Sequence, residues 1–229
     1  MKNLKREVAR IALDYLVPGQ TIGLGAGATI SYVAEMISDE IPFKETLKFI
    51  SPSPHTSEVL NKYGLSLIDP VELNKIDIYF DSCDQVDENL NAFKSGGGIH
   101  TKEKLFASIA SEFILLVDAS KVVPALTTEF PLCIELFPEV PTFVTNYISG
   151  LYPDSSIKLR MNAETHLPII NDSGNLLADV HFKHLPPLDE LNDAVLAIPG
   201  IVDHSLFYDL ATKVLIAEQT GIKELSRNR

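Results

Sequence analysis

Thr21-Ile22-Gly23-Leu24-Gly25-Ala26-Gly27-Ala28-Thr29-Ile30 is the stretch on which the fold turns. A short apolar strand runs into a glycine-rich turn, and Ile30, Val33, Ala34 and Ile37 then recur at helical spacing. A strand that turns directly into a helix is half of a strand–helix–strand unit, and the flanking sequence repeats it. Upstream, Leu4, Val8, Ile11 and Tyr15 mark a helix closed by Pro18-Gly19. Downstream, Leu47–Ile50, Leu65–Ile68 and Ile76–Phe80 read as strands, the last ending on Asp81, with a helix over Ser57–Tyr63. Lys102–Ala110 reads as a helix, and Phe113–Val117 as a buried strand ending on Asp118. This alternation predicts an α/β, Rossmann-like, mostly parallel sheet with helices on both faces.

The pattern changes after Thr128. Pro131–Leu136 reads as a strand and Val140–Leu151 as a helix, and strands follow at Ser156–Arg160 and Leu167–Ile170. The turn Asn171-Asp172-Ser173-Gly174-Asn175 leads into Leu176–His181, and Leu188–Ala197 reads as a helix. These elements predict a small α+β domain over 130–204, with a large domain formed by 1–129 and 205–229 and a returning strand at Ala211–Ala217.

Among 229 residues, 19 are Lys or Arg and 31 are Asp or Glu, a formal charge of −12 that argues against nucleic acid or an anionic membrane surface as partner. A small phosphorylated ligand, which needs only a few local cations, stays open. The longest apolar run, Phe113–Val117, is far short of the ~18–20 residues that span a bilayer. No apolar core follows Met1–Glu7, so no secretory signal is read, and Cys83 and Cys133 are expected as unpaired thiols in a reducing cytoplasm.

Ligands of open parallel sheets bind beyond the carboxyl ends of the strands. Polar clusters stand there at Gly25–Thr29, at Asp81-Ser82-Cys83-Asp84 with Lys94–Gly98 downstream, at Asp118–Lys121 and, more weakly, at Ser51–His55. Gly23–Ala28 matches a dinucleotide fingerprint only in its glycines. Ser51 and Pro52 stand where the ribose-binding acid belongs. A small-phosphate nest and a plain tight turn remain the two readings. Asp81, Asp84 and Asp87 repeat every three residues beside Glu88, which suits a cation, an acidic surface loop or acid–base work on sugar hydroxyls. Glu103 falls in the first turn of a helix expected to be capped by Thr101, where it complements the helix dipole or, beside Gly96-Gly97-Gly98, faces a ligand. The six histidines read as structural or solvent-facing.

In order and spacing, Asp81-Ser-Cys-Asp84, Lys94-Ser-Gly-Gly-Gly98, Thr101-Lys-Glu-Lys104, Val117-Asp-Ala-Ser-Lys121, Phe130-Pro-Leu132, Ala197-Ile-Pro-Gly-Ile-Val202 and Ser205-Leu-Phe207 resemble ribose-5-phosphate isomerases of the A type over nearly the whole chain. The resemblance implies interconversion of ribose 5-phosphate and ribulose 5-phosphate through an enediolate, in the non-oxidative pentose phosphate pathway. A paralogue isomerising or merely binding another sugar phosphate is the alternative. It implies Glu103 as base, Asp81 and Asp84 on the sugar oxygens, and Lys94 near the reacting oxygens. Gly25, Ala26, Gly27, Ala28 and Thr29 would form the phosphate loop, with Lys5 and Lys121 as its partners. It implies no metal or organic cofactor and a homodimer or homotetramer. At the ordinary carboxylate value of ~4.3, Glu103 would stand ionised. The family loop usually reads Gly-Thr-Gly-Ser-Thr, so Ala26 and Ala28 remove two hydroxyls here.

Overall fold

The computed structural model describes residues 3–73 and 75–227. Asn3 opens the first helix, α1 (Leu4–Ala12), by accepting from the Arg6 amide. The chain continues through β1 (Thr21–Leu24), α2 (Ala28–Glu40), β2 (Lys48–Ile50), α3 (Pro54–Lys62) and β3 (Ile76–Asp81). Two short strands, β4 (Gln85–Asp87) and β5 (Ala92–Phe93), precede α4 (His100–Ser108), β6 (Ala110–Asp118) and β7 (Val122–Val123). Next come β8 (Leu132–Leu136), α5 (Pro141–Leu151), β9 (Ser156–Leu159), β10 (Leu176–His181), α6 (Leu188–Leu196) and β11 (Ile201–His204). The chain closes with β12 (Leu206–Phe207), β13 (Lys213–Glu218) and β14 (Gly221–Ser226).

The central sheet has the order β14-β13-β6-β3-β1-β2. Every pairing in it is parallel except the β13–β14 hairpin. Alternate residues of each strand face opposite ways, and both faces are buried. Ile78, Phe80, Ile114, Leu116 and Leu215 pack with α1, α2 and Leu60 of α3. Tyr79, Phe113, Leu115, Val117, Val214 and Ile216 pack on the other side with Phe106 and Ala107 of α4. That side is completed by a small sheet, β12-β5-β4-β7, which contributes Val86, Ala92 and Phe207. A third core lies between the antiparallel sheet β11-β8-β10-β9 and helices α5 and α6. Two residues beyond Tyr79 on β3, Asp81 shares its face of the sheet, toward α4.

Two expected strands are not strands. Leu65–Ile68 touches β2 through a single bridge, Phe49 to Leu67, because it leaves a turn at Gly64 (φ +67°) and runs at once toward Pro70. Leu167–Ile170 makes only isolated bridges, Met161–Pro168 and Ile170–Leu176, since Pro168 has no amide to donate to a ladder. The α4 start also differs from expectation. The helix begins after Ile99, whose side chain caps nothing, and Thr101 instead donates its hydroxyl to Glu135 Oε2 on β8. The small β12-β5-β4-β7 sheet and β14 had no expected counterpart.

Candidate active site

A cleft of about 280 Å³ opens at the carboxyl ends of β1, β3 and β6. Lys5, Ala26–Thr29, Ser82, Asp84, Lys94, Gly96, Glu103 and Lys121 are among its lining residues. Nine of the eleven residues expected to form the site thus line it, from separate parts of the chain, and Gly25 and Asp81 do not. A larger depression, of about 910 Å³, carries Asp87, Glu88, Asp189 and Asp209 against Arg227. Its acidic lining makes it a poor host for an anion, so charge and not size selects the smaller cleft.

Asp81 is the hub beneath the cleft floor. It is fully buried, and its Oδ1 accepts the amides of Ser82 (2.7 Å) and Ala26 (3.2 Å). Its Oδ2 accepts the Tyr79 hydroxyl (2.9 Å) and pairs with Lys94 Nζ at 2.9 Å. Tyr79 went unnoticed in the sequence, where its apolar strand context makes it look like core. Four donors saturate the Asp81 carboxylate, and it does not line the cleft. Its expected contact with sugar oxygens would have to be made from beneath the cleft floor, beside the amides, hydroxyl and ammonium that already hold it. Asp84 does line the cleft, and its Oδ2 accepts the amides of Ser95 (2.6 Å) and Gly96 (3.0 Å). Asp87 is turned away to accept from the Asn89 and Asn91 amides, so the three aspartates serve three different sets of donors.

Lys94 lies between Asp81 and Glu103, whose Oε1 is 3.4 Å from its Nζ, and it also donates to the Ser82 carbonyl. Burial alone would lower the Lys94 pKa, but Asp81 and then Glu103 overcome it and hold the ammonium above its ordinary value. Glu103 is only 5% exposed. Burial first, and the Asp81 charge second, push it up to about 8, against the opposing pull of Lys94. The expectation of an ordinary, fully ionised Glu103 is corrected accordingly. Two carboxylates share one ammonium in a dry wall, so one of them holds its proton more tightly.

The glycine loop supplies the other end of the cleft. Gly27 takes φ +97° and opens α2 with no side chain in the way. The first-turn amides of Ala28 and Thr29 have no intrahelical acceptor and head the positive end of the helix. Lys5 from α1 and Lys121 flank them. Lys121 Nζ donates to Ser82 Oγ (3.1 Å) and to the Cys83 carbonyl. Gly25 stands apart from the other loop positions. It is buried, its amide is committed to the Phe80 carbonyl (2.9 Å), and its own carbonyl accepts Thr56 Oγ1 (2.7 Å). A Cβ there would lie 2.0–2.2 Å from the Asp81 carboxyl atoms, so the close approach of Asp81 requires glycine, and Gly25 is not among the residues lining the cleft. Gly25→Ala should lower unfolding stability by about 1–3 kcal/mol through overpacking, with a parallel loss of turnover. An unshifted melting temperature would contradict the close approach.

Ser53 caps α3 through the Thr56 amide, and His55, His166, His181 and His184 are exposed. His100 and His204 are buried. Burial and then the Lys104 charge hold His100 down at about 3, and neither of its ring nitrogens has a partner among the described residues. His204 is held well below its ordinary value by the same two causes. Both are neutral at pH 7.

A family model described as ribose 5-phosphate isomerase A (phosphoriboisomerase A) matches residues 48–221. Ribose-5-phosphate isomerase A of Thermosynechococcus vestitus is 34% identical over 220 residues, 95% of this chain and 92% of the relative. The solved structure of ribose 5-phosphate isomerase A from Methanocaldococcus jannaschii superposes with a TM-score of 0.90 at 33% identity, covering 98% of this chain and 99% of that one. A D-ribose-5-phosphate isomerase in complex with phospho-erythronic acid superposes with a TM-score of 0.92 at 27% identity, covering 99% and 100%.

Proposed function

The chain belongs to the ribose 5-phosphate isomerase A family and is an enzyme interconverting ribose 5-phosphate and ribulose 5-phosphate, and we propose that Glu103 is the base that carries the proton between C2 and C1. The observation that carries this reading is the elevated basicity of Glu103 on the wall of a cleft shared with Lys94 and the open end of α2. A carboxylate near pH 8 takes a carbon-bound proton more readily than an ordinary one, and it still gives the proton back. Lys94, rigidly charged beside it, stabilises the enediolate oxygen as negative charge develops there. Asp81 orients Lys94, and Asp84 accepts from a sugar hydroxyl through the oxygen it does not use on the loop. Ala28, Thr29, Lys5 and Lys121 take the phosphate, whose binding energy holds C1 and C2 against Glu103.

With an ammonium in the oxyanion-stabilising position, the reaction in this reading needs no metal or organic cofactor. The setting is the cytoplasm, in the non-oxidative pentose phosphate pathway, consistent with two unpaired, buried cysteines. The large unit (1–129 and 205–229) carries the site and the small one (130–204) packs beside it. The assembly is a homodimer or homotetramer, for which the half-exposed Phe143, Tyr147 and Leu151 along α5 are the supporting apolar stripe.

The test is the pH–rate profile of kcat/KM, recorded in the presence of a chelator. Glu103 must be ionised in the free enzyme, so the rate should climb as pH rises through about 8 and level off above. The substrate phosphate titrates separately, near pH 6. A profile already flat from pH 6.5 upward would remove the elevated base from the mechanism.

A further inference from the structure

We propose that Arg160 is a positioning residue that clamps the catalytic loop Lys94–Gly98 from the side of the small antiparallel sheet. The inference rests on the roles proposed for Lys94 and Asp84. Arg160 follows β9, outside the cleft lining. Its guanidinium is gripped by Asp179 of β10, with Nε 2.8 Å from Oδ2 and Nη2 2.6 Å from Oδ1. This two-pronged pairing fixes the plane of the guanidinium. The remaining donors go to the loop: Nη2 to the Ser95 carbonyl and Nη1 to the Gly96 carbonyl at 3.3 Å.

Those two peptides are held from both sides. Asp84 Oδ2 takes the amides of Ser95 and Gly96, and Arg160 takes their carbonyls. The far end of the loop rests on the same sheet, since a Cβ at Gly98 would lie 2.5 Å from Leu177 Cδ1 on β10. Lys94 begins this loop, and Glu103 lies just beyond it in the first turn of α4. Movement of the loop therefore displaces Lys94, frees Asp84 from its amides and shifts the start of α4 together. A displacement of about 1 Å at reacting groups costs on the order of a hundredfold in rate. This gives the antiparallel sheet β11-β8-β10-β9 a catalytic purpose: it is the fixed body against which the loop is set.

Arg160→Gln, Arg160→Lys and Asp179→Asn test the clamp by steady-state kinetics with ribose 5-phosphate, thermal unfolding, and hydrogen exchange at the Ser95 and Gly96 amides. Arg160→Gln should lower kcat about 10- to 100-fold with little change in KM. Exchange should speed up at Ser95 and Gly96 while the central strands stay protected. Arg160→Lys keeps the charge but not the fork, and should recover part of the loss. Asp179→Asn, which loosens the grip without removing the guanidinium, should show the same pattern more weakly, and it decides the matter if Arg160→Gln does not fold. A kcat within about twofold of the parent, or exchange that rises across the whole chain together with the loss of kcat, would overturn the proposal. Exchange at the loop reports the clamp whatever the reaction, so its failure is distinguishable from failure of the Glu103 assignment.

Discussion

Glu103→Gln is expected to lower kcat by about a hundred- to ten-thousand-fold, the range attributed to a positioned general base. Sugar-phosphate affinity should stay close to that of the parent, because the phosphate end proposed for the cleft, at α2, Lys5 and Lys121, lies apart from Glu103 in the chain. Stopped turnover with retained binding, measured by isothermal titration with ribose 5-phosphate, is the combination to look for. Full turnover would end the assignment. The same substitution carries a stability signature of known sign. The folded state binds the Glu103 proton more tightly than the unfolded chain, where the ordinary value is 4.5. Its contribution to stability is therefore complete below about 4.5 and is lost as pH rises through about 8. Gln is neutral throughout and escapes that loss. The melting temperature of Glu103→Gln should rise relative to the parent between pH 5 and pH 9, with the gap widening upward. In the proposed mechanism the enzyme thus accepts a destabilised side chain at its base.

Lys94→Met is expected to be the most damaging substitution for stability, at about 3–5 kcal/mol. The reason is what it leaves behind. Asp81 is fully buried and Glu103 nearly so, and Lys94 is the cation paired with both. Without the ammonium, Glu103 can relieve the repulsion only by staying protonated, so the pH–rate limb should move above its parent position. Loss of the oxyanion partner should cost a further factor of about 10²–10³ in kcat. Urea unfolding at pH 7, alongside the pH profile, measures both consequences. A variant as stable as the parent would mean that Lys94 does not neutralise these carboxylates.

Legibility in the sequence differs from residue to residue. Glu103, Lys94 and Asp84 stand out by motif spacing, and the fold brings them to one cleft. Asp81 stands out too, though the groups that hold it do not. Its position at a strand end is visible in the sequence, while its four donors come from β3, the loops beyond β1 and β3, and Lys94, and converge only on folding. Gly25 groups with its neighbours because a glycine run looks uniform in sequence. Only the fold shows the Asp81 carboxyl group packed against it. Arg160 carries no signal, and Asp179 stands out only beside His181 and His184, so nothing in the sequence joins the two across nineteen residues. Their pairing comes from the register of β9 on β10, which a linear pattern does not encode.

The α/β architecture, the strand ends that carry polar clusters and the family motifs were all determined by the sequence. They depend on local periodicity, turn chemistry and residue order, which are present in one dimension. The −12 charge likewise limited the partners to those that need only a few local cations. The raised proton affinity of Glu103 was decided by tertiary structure alone. Glu103 in an exposed first helical turn would be an ordinary carboxylate. Set against buried Asp81, beside one ammonium and out of water, it has its pKa pushed up to about 8. Desolvation and the distance between charges are properties of packing, and both act strongly where the dielectric is low.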